Sequence, residues 1–176
     1  MRNDSRPSHP TVRAWLHADG SLTARLRMLG TVEVVVLRQS SQLLWKAEQD
    51  DLQCCNGHVR EVALLVNGIP AVWARSAASH RAVQGPWKAL SDLGSRPLAE
   101  LLFQGRHILR DPLRSHHLLR HGLIECHLRN AWFGLSPGKP AIPLPRWARS
   151  SVFRHQGQPL RVMEAFAPWI VAMQVH

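Results

Sequence analysis

The chain has 176 residues, 45% of them apolar, enough for one domain that buries about two-thirds of its unfolded surface and too apolar for a disordered segment. A net charge of +10 arises from 22 Lys and Arg side chains against 12 acids. These basic residues are scattered rather than clustered, so they read as a bias of composition and exclude a dedicated nucleic-acid arm.

In chain order, residues 1–10 form a flexible tail and residues 11–176 a single domain. Val12–Leu16 is a short amphipathic piece. Asp19-Gly20-Ser21 is punctuation, with Ser21 able to cap a helix over Leu22–Leu29 that ends at Gly30. Thr31–Gln39 is rich in β-branched residues and reads as a strand, and Gln53–His58 as a loop. Val59–Val66, Asn67-Gly68 and Pro70–Ala77 spell a hairpin, because Asn-Gly supplies the positive-φ pair that tight hairpin turns require. Pro86–Leu93 and Pro97–Gln104 read as two short helices separated by Gly94, each with proline in its first turn. Gly122–Leu128 is read as a strand, and the proline-rich Leu135–Pro145 as an irregular loop. A second hairpin follows: Trp147–His155, a turn at Gln156–Gln158, and Pro159–Phe166. The expected class is α+β: an antiparallel sheet of about six strands with helices mainly on one side.

Charged residues stand inside both hairpins, where an unpaired buried charge would be costly. Period-two alternation puts Arg60 on a face with Val62 and Leu64, and Glu164 on a face with Val162 and Phe166. Structurally this is an Arg–Glu pair within a sheet. Functionally it is a pocket for a small anion, in which an arginine fork matches a carboxylate and a glutamate in an apolar niche exchanges a proton. Histidines gather between His107 and His127, and His117 and His121 have helical spacing, but no paired-cysteine or His-Glu-x-x-His pattern supports zinc, so no metal is expected. Cys54, Cys55 and Cys126 are odd in number and partly vicinal, unlike a disulfide framework, which points to a reducing cytoplasmic setting. The polar N-terminus lacks a signal core, and no apolar stretch approaches the roughly 18 residues of a membrane span.

Five segments in order carry a resemblance: Trp15-Leu16 with Ser21-Leu22-Thr23; Arg60-Glu61 with Asn67-Gly68 and Ala74-Arg75-Ser76; Leu93-Gly94 with Pro97-Leu98 and Leu102-Phe103; Trp147-Ala148-Arg149-Ser150; and Gly157, Pro159-Leu160, Glu164, Phe166 and Pro168. Together they resemble the chorismate pyruvate-lyase family, whose chorismate lyase-like fold also serves as the UTRA-like effector domain of bacterial regulators. The resemblance implies a cofactor-independent carbon–oxygen lyase that converts chorismate to pyruvate and 4-hydroxybenzoate for ubiquinone biosynthesis, acting as a cytoplasmic monomer. It implies that Arg60 grips the ring carboxylate, the main chain near Leu22 and Leu98 lines the pocket, Glu164 meets the ring hydroxyl and manages the proton, and Arg75 adds a second cationic contact. Departures are Leu22 where methionine is common, Ala99 where glycine is common, and a single arginine in Arg149-Ser150-Ser151. Residues 106–145 read as a family-variable insertion. The rival implication is a non-catalytic small-acid effector domain of the same fold.

Overall fold

The computed structural model describes residues 9–104, 107–135 and 142–173. The tail expected over 1–10 lies outside them except for His9 and Pro10, as does the centre of the proline-rich stretch 135–145. The chain opens with helices α1 (Pro10–Leu16) and α2 (Leu22–Arg27), the second capped by Ser21, whose Oγ accepts from the Ala24 amide at 3.1 Å. Strand β1 (Val32–Leu43) runs four residues beyond its expected end. Helix α3 (Lys46–Leu52) follows, where no element was expected; the Trp45 amide donates to Glu48 at 2.8 Å and closes its first turn.

The first hairpin is β2 (Asn56–Val66) and β3 (Ile69–Ala78), and its turn residues Asn67 and Gly68 both have positive φ. Helix α4 (His80–Gln84), capped by Ser79, comes next; only a single 3-10 turn at Lys88–Leu90 replaces the helix expected over Pro86–Leu93. Helix α5 (Leu98–Gln104) forms as expected. The described part of the stretch 106–145 supplies β4 (Ile108–Arg110), β5 (Arg114–His117) and helix α6 (Leu123–Phe133). Gly122–Leu128 is therefore helical rather than extended. Leu128 and Trp132, one turn apart, bury one face of α6 against the core. The second hairpin, β6 (Trp147–His155) and β7 (Gln158–Phe166), leads into α7 (Pro168–Ala172).

The seven strands make one antiparallel sheet in the order β1-β2-β3-β7-β6-β4, with β5 also on β6. β4 pairs with Phe153–His155 and β5 with Trp147–Ser150, so the two share one position end to end. Six positions are thus filled by seven strands. Helices lie mainly on one face, as expected: α1, α2, α4 and α5 cover the side of Arg60, while α3 and α6 lie on the other. Arg60 and Glu61 are neighbours on β2 and must point oppositely. Arg60 reaches the carbonyls of Gly94 and Arg96 just before α5, whereas Glu61 meets His127 of α6. On the Arg60 face, Trp15 packs on Phe166 at 6.2 Å and Trp87 is fully buried over Leu160 and Phe153. On the other face, Trp45 stacks on Trp73.

Candidate active site

Cross-strand register assembles the Arg60 face into two rows. Arg60 on β2 stands opposite Ser76 on β3, then Val162 on β7 and Ser151 on β6. The adjacent row is Val62, Ala74, Glu164 and Arg149. Strand spacing and rise place the Cα atoms of Arg60 and Glu164 roughly 12 Å apart. The residues between them are small, and Ala74, although mid-sheet, is only half-buried.

Over the Glu164 end lies a narrow cavity of about 40 Å³, lined by Leu22, Leu102, Phe103, Arg110, Arg149 and Glu164 among others. α2 and α5 roof it and the sheet is its floor. The niche of Glu164 is not the apolar one expected from Val162 and Phe166: Arg149 Nε donates to its Oε2 at 2.5 Å. The same guanidinium donates through Nη1 to the carbonyls of Trp15 and Ala18, at 3.2 and 2.9 Å. Arg149 thereby ties the α1–α2 connection to the carboxylate. Arg110 lies over the Phe153 ring at 5.1 Å and donates to Ser151 Oγ at 3.3 Å. Burial, with the charge of Arg149 adding to it, pulls the Arg110 guanidinium below its ordinary value.

Arg60 is 1% exposed. Its Nη2 donates to Gly94 at 2.7 Å and Arg96 at 3.1 Å, and its Nε has no partner among the described residues. Gly94 adopts φ +54°, a left-handed turn that suits glycine. No carboxylate pairs with Arg60 or Arg110 among the described residues, and burial lowers the Arg60 guanidinium too. Leu22 lines the cavity. Leu98 does not, although its neighbour Ala99 does.

Arg75 lies on the opposite face and does not reach this cavity. Its Nε and Nη2 donate to Glu48 at 2.6 and 2.9 Å, and its Nη1 to Glu61 at 2.5 Å. Its guanidinium stacks 4.0 Å from the Trp45 ring, and His127 closes the network on Glu61 at 2.9 Å. Burial opposes ionisation of Glu61, but hydrogen bonds and charge from His127 and Arg75 outweigh it and hold the carboxyl below its usual range. For Arg75, burial is likewise outweighed by Glu48 and Glu61, which raise it. Each guanidinium nitrogen of Arg75 thus has a carboxylate partner, in an ion cluster on the face opposite the cavity rather than in its lining.

The histidines of 107–127 do not converge. Among the described residues no group of three His, Cys, Asp or Glu side chains is arranged to hold a metal. His116 is buried against Ser150 Oγ at 2.7 Å, and burial, then the charges of Arg161 and Arg114, push it down to about 4. A histidine lowered by folding contributes stability that is complete above its unfolded pKa and is lost as pH falls toward the folded value. The unfolding free energy is therefore expected to drop by ~2 kcal/mol between about pH 7.5 and 5. His58, lowered by burial, adds in the same direction. Urea titrations of wild type and His116→Gln check this: equal pH slopes would rule out His116 as a titrating group.

Arg110, Arg149 and Ser151 are the cavity residues that sequence reasoning did not single out. Arg149 carries a usable signal: a two-residue turn at Gln156-Gly157 pairs it with Glu164.

The chorismate lyase family model matches residues 2–174, running through the 106–145 stretch. A probable chorismate pyruvate-lyase of Albidiferax ferrireducens is 40% identical over 166 residues, covering 89% of this chain and 83% of that protein. One from an Azoarcus species is 39% identical over 96% of this chain and 89% of its own length. Among solved structures, the C-terminal domain of the histidine utilization repressor from Pseudomonas syringae pv. tomato superposes with a TM-score of 0.56 at 12% identity, over 83% of this chain and 96% of that one. The effector domain of PhnF from Mycobacterium smegmatis gives 0.52 at 13% identity, over 85% and 89%. These structures share the fold.

Proposed function

Because the chain belongs to the chorismate lyase family, we propose that it eliminates pyruvate from chorismate to leave 4-hydroxybenzoate, the ring precursor of ubiquinone, as a cytoplasmic monomer. One observation supports this reading above the rest: the Arg60 face holds two guanidinium groups without carboxylate partners among the described residues, and one carboxylate positioned by a third arginine. Chorismate is a dianion bearing a hydroxyl, and that charge pattern is its complement.

In this reading Arg60 grips the ring carboxylate, Arg110 faces the enolpyruvyl carboxylate, and Glu164 meets the hydroxyl end of the ring. The main chain near Leu22 and Leu98 completes the pocket wall. The half-buried surface over Ala74 is where the ring lies. The ether C–O bond breaks, the hydrogen on the adjacent hydroxyl-bearing carbon leaves as a proton, and the electron pair of that C–H bond completes the aromatic ring. Enolpyruvate takes up a proton and becomes pyruvate. Aromatisation drives the step, so orientation and fixed charge suffice, with Glu164 handling the proton and no cofactor required. A cavity of about 40 Å³ is too small for the substrate, so α2 and α5 act as flaps that part for entry.

Purified protein mixed with chorismate should release pyruvate and 4-hydroxybenzoate in equal amounts, also after exhaustive chelation. Binding without pyruvate above the spontaneous rate would favour the effector-domain reading. Arg60→Lys keeps the charge but loses the fork, so 4-hydroxybenzoate should bind ~1–3 kcal/mol more weakly. Unchanged affinity in a folded Arg60→Ala variant would confine Arg60 to holding the Gly94–Arg96 turn.

A further inference from the structure

The opposite face of the sheet carries a second opening of about 420 Å³, between α3, the β5–α6 connection and β7. That is within the size range of small-molecule sites. The chemistry proposed above does not use it. Met163 forms part of its floor, and Met163 and Glu164 are consecutive on β7 and face opposite sides.

Its lining combines the apolar Trp45, Leu118, Leu123, Ile124 and Met163, of which Leu123 is 70% exposed, with the cationic Arg114 and Arg161 and with His116. Arg161 is 3% exposed and engages Asp51 through Nε at 2.9 Å, and Arg114 shares the same carboxylate at 3.0 Å. Two guanidinium groups against one carboxylate leave one positive charge unbalanced. The other acids at the cleft are engaged: Asp50 with Lys46, and Glu125 with the His121 amide and Arg129. His116 is 3% exposed and meets Ser150 through Nε2, while its buried Nδ1 has no partner among the described residues.

We propose that this cleft binds a small amphipathic monocarboxylate. Its carboxylate accepts from Arg114 and Arg161, and its apolar body lies against Trp45, Ile124 and Met163. A cation would meet the unbalanced positive charge, and a neutral alcohol would leave it uncompensated. The site is independent of the lyase reading, and either can fail without the other.

Calorimetric titration of the full chain with octanoate tests it. Octanoate should bind once per chain, with n-octanol at least about tenfold weaker. Arg114→Ala, a half-exposed position, should weaken octanoate at least about tenfold, and Ile124→Trp, which fills the cleft, should abolish binding. Arg60→Ala, on the other face, should leave octanoate affinity unchanged. Absence of binding at millimolar octanoate, equal affinity for octanol, indifference to Arg114→Ala, or loss in Arg60→Ala would each overturn the proposal. If circular dichroism shows Ile124→Trp unfolded, Arg114→Ala decides.

Discussion

Turnover of chorismate by Glu164→Gln is expected to fall by about 10²–10⁴-fold, the range for losing a positioned acid–base group. Affinity for 4-hydroxybenzoate should change far less, because glutamine fills the same space and still hydrogen-bonds a hydroxyl. The split matters: an interaction realised mainly in the transition state lowers kcat more than it weakens ligand binding. The fold should tolerate the change. Arg149 keeps its bonds to the Trp15 and Ala18 carbonyls, so the α1–α2 connection stays anchored when the carboxylate is neutralised. Steady-state kinetics beside calorimetric binding read both quantities. Equal kcat in the two proteins, with circular dichroism unchanged, would remove Glu164 from the mechanism.

The largest loss of stability is expected at Arg75. Arg75→Ala strips Glu48 and Glu61 of their shared cation and leaves two carboxylates facing each other with almost no solvent. Breaking a buried ionic cluster from one side costs about 3–5 kcal/mol. Neutralising both acids in the same background, Glu48→Gln with Glu61→Gln, should recover most of that loss, because the penalty comes from stranded charge rather than lost packing. Urea unfolding measures both. The wild-type cluster also sets an acid limit. Glu61 is held below its ordinary value, so its contribution is present above the unfolded carboxylate pKa and is lost as pH falls through the folded one. A triple variant no more stable than Arg75→Ala would show that the guanidinium matters for packing against Trp45 instead.

The two hairpins were legible because Asn67-Gly68 and Gly157 mark their turns, and alternation then put Arg60 and Glu164 among apolar neighbours. Arg75 was misplaced for a definable reason. Counted outward from the Asn67-Gly68 turn, regular pairing sets Arg75 opposite Arg60, on the same face. The ladder instead slips between Leu65–Pro70 and Leu64–Val72, so Arg60 faces Ser76 and Arg75 faces Glu61. One bulged residue moves a side chain from one side of a sheet to the other, and its signal in the sequence is Pro70, which has no amide to give the ladder of a central strand. Arg149 was missed by the same arithmetic at the second turn. A three-residue turn at Gln156–Gln158 would align Ser150 with Glu164, whereas the observed two-residue turn aligns Arg149. Helix α6 was mistaken for a strand because Gly122–Leu128 is too short to show a helical period, which appears only when Trp132 is included.

The arrangement of outer strands bears on edge-to-edge pairing between molecules. A sheet ends in rows of unpaired amides and carbonyls that invite strands from neighbouring molecules. Here one rim is made of two fragments, β4 and β5, of three and four residues, parted at Asp111-Pro112, where proline has no amide to offer. The other rim is the twelve-residue β1, which slips register between Val36 and Arg38 and carries Glu33 and Arg38. Neither rim presents a long, flat, uncharged template, which disfavours continuation of the sheet from molecule to molecule.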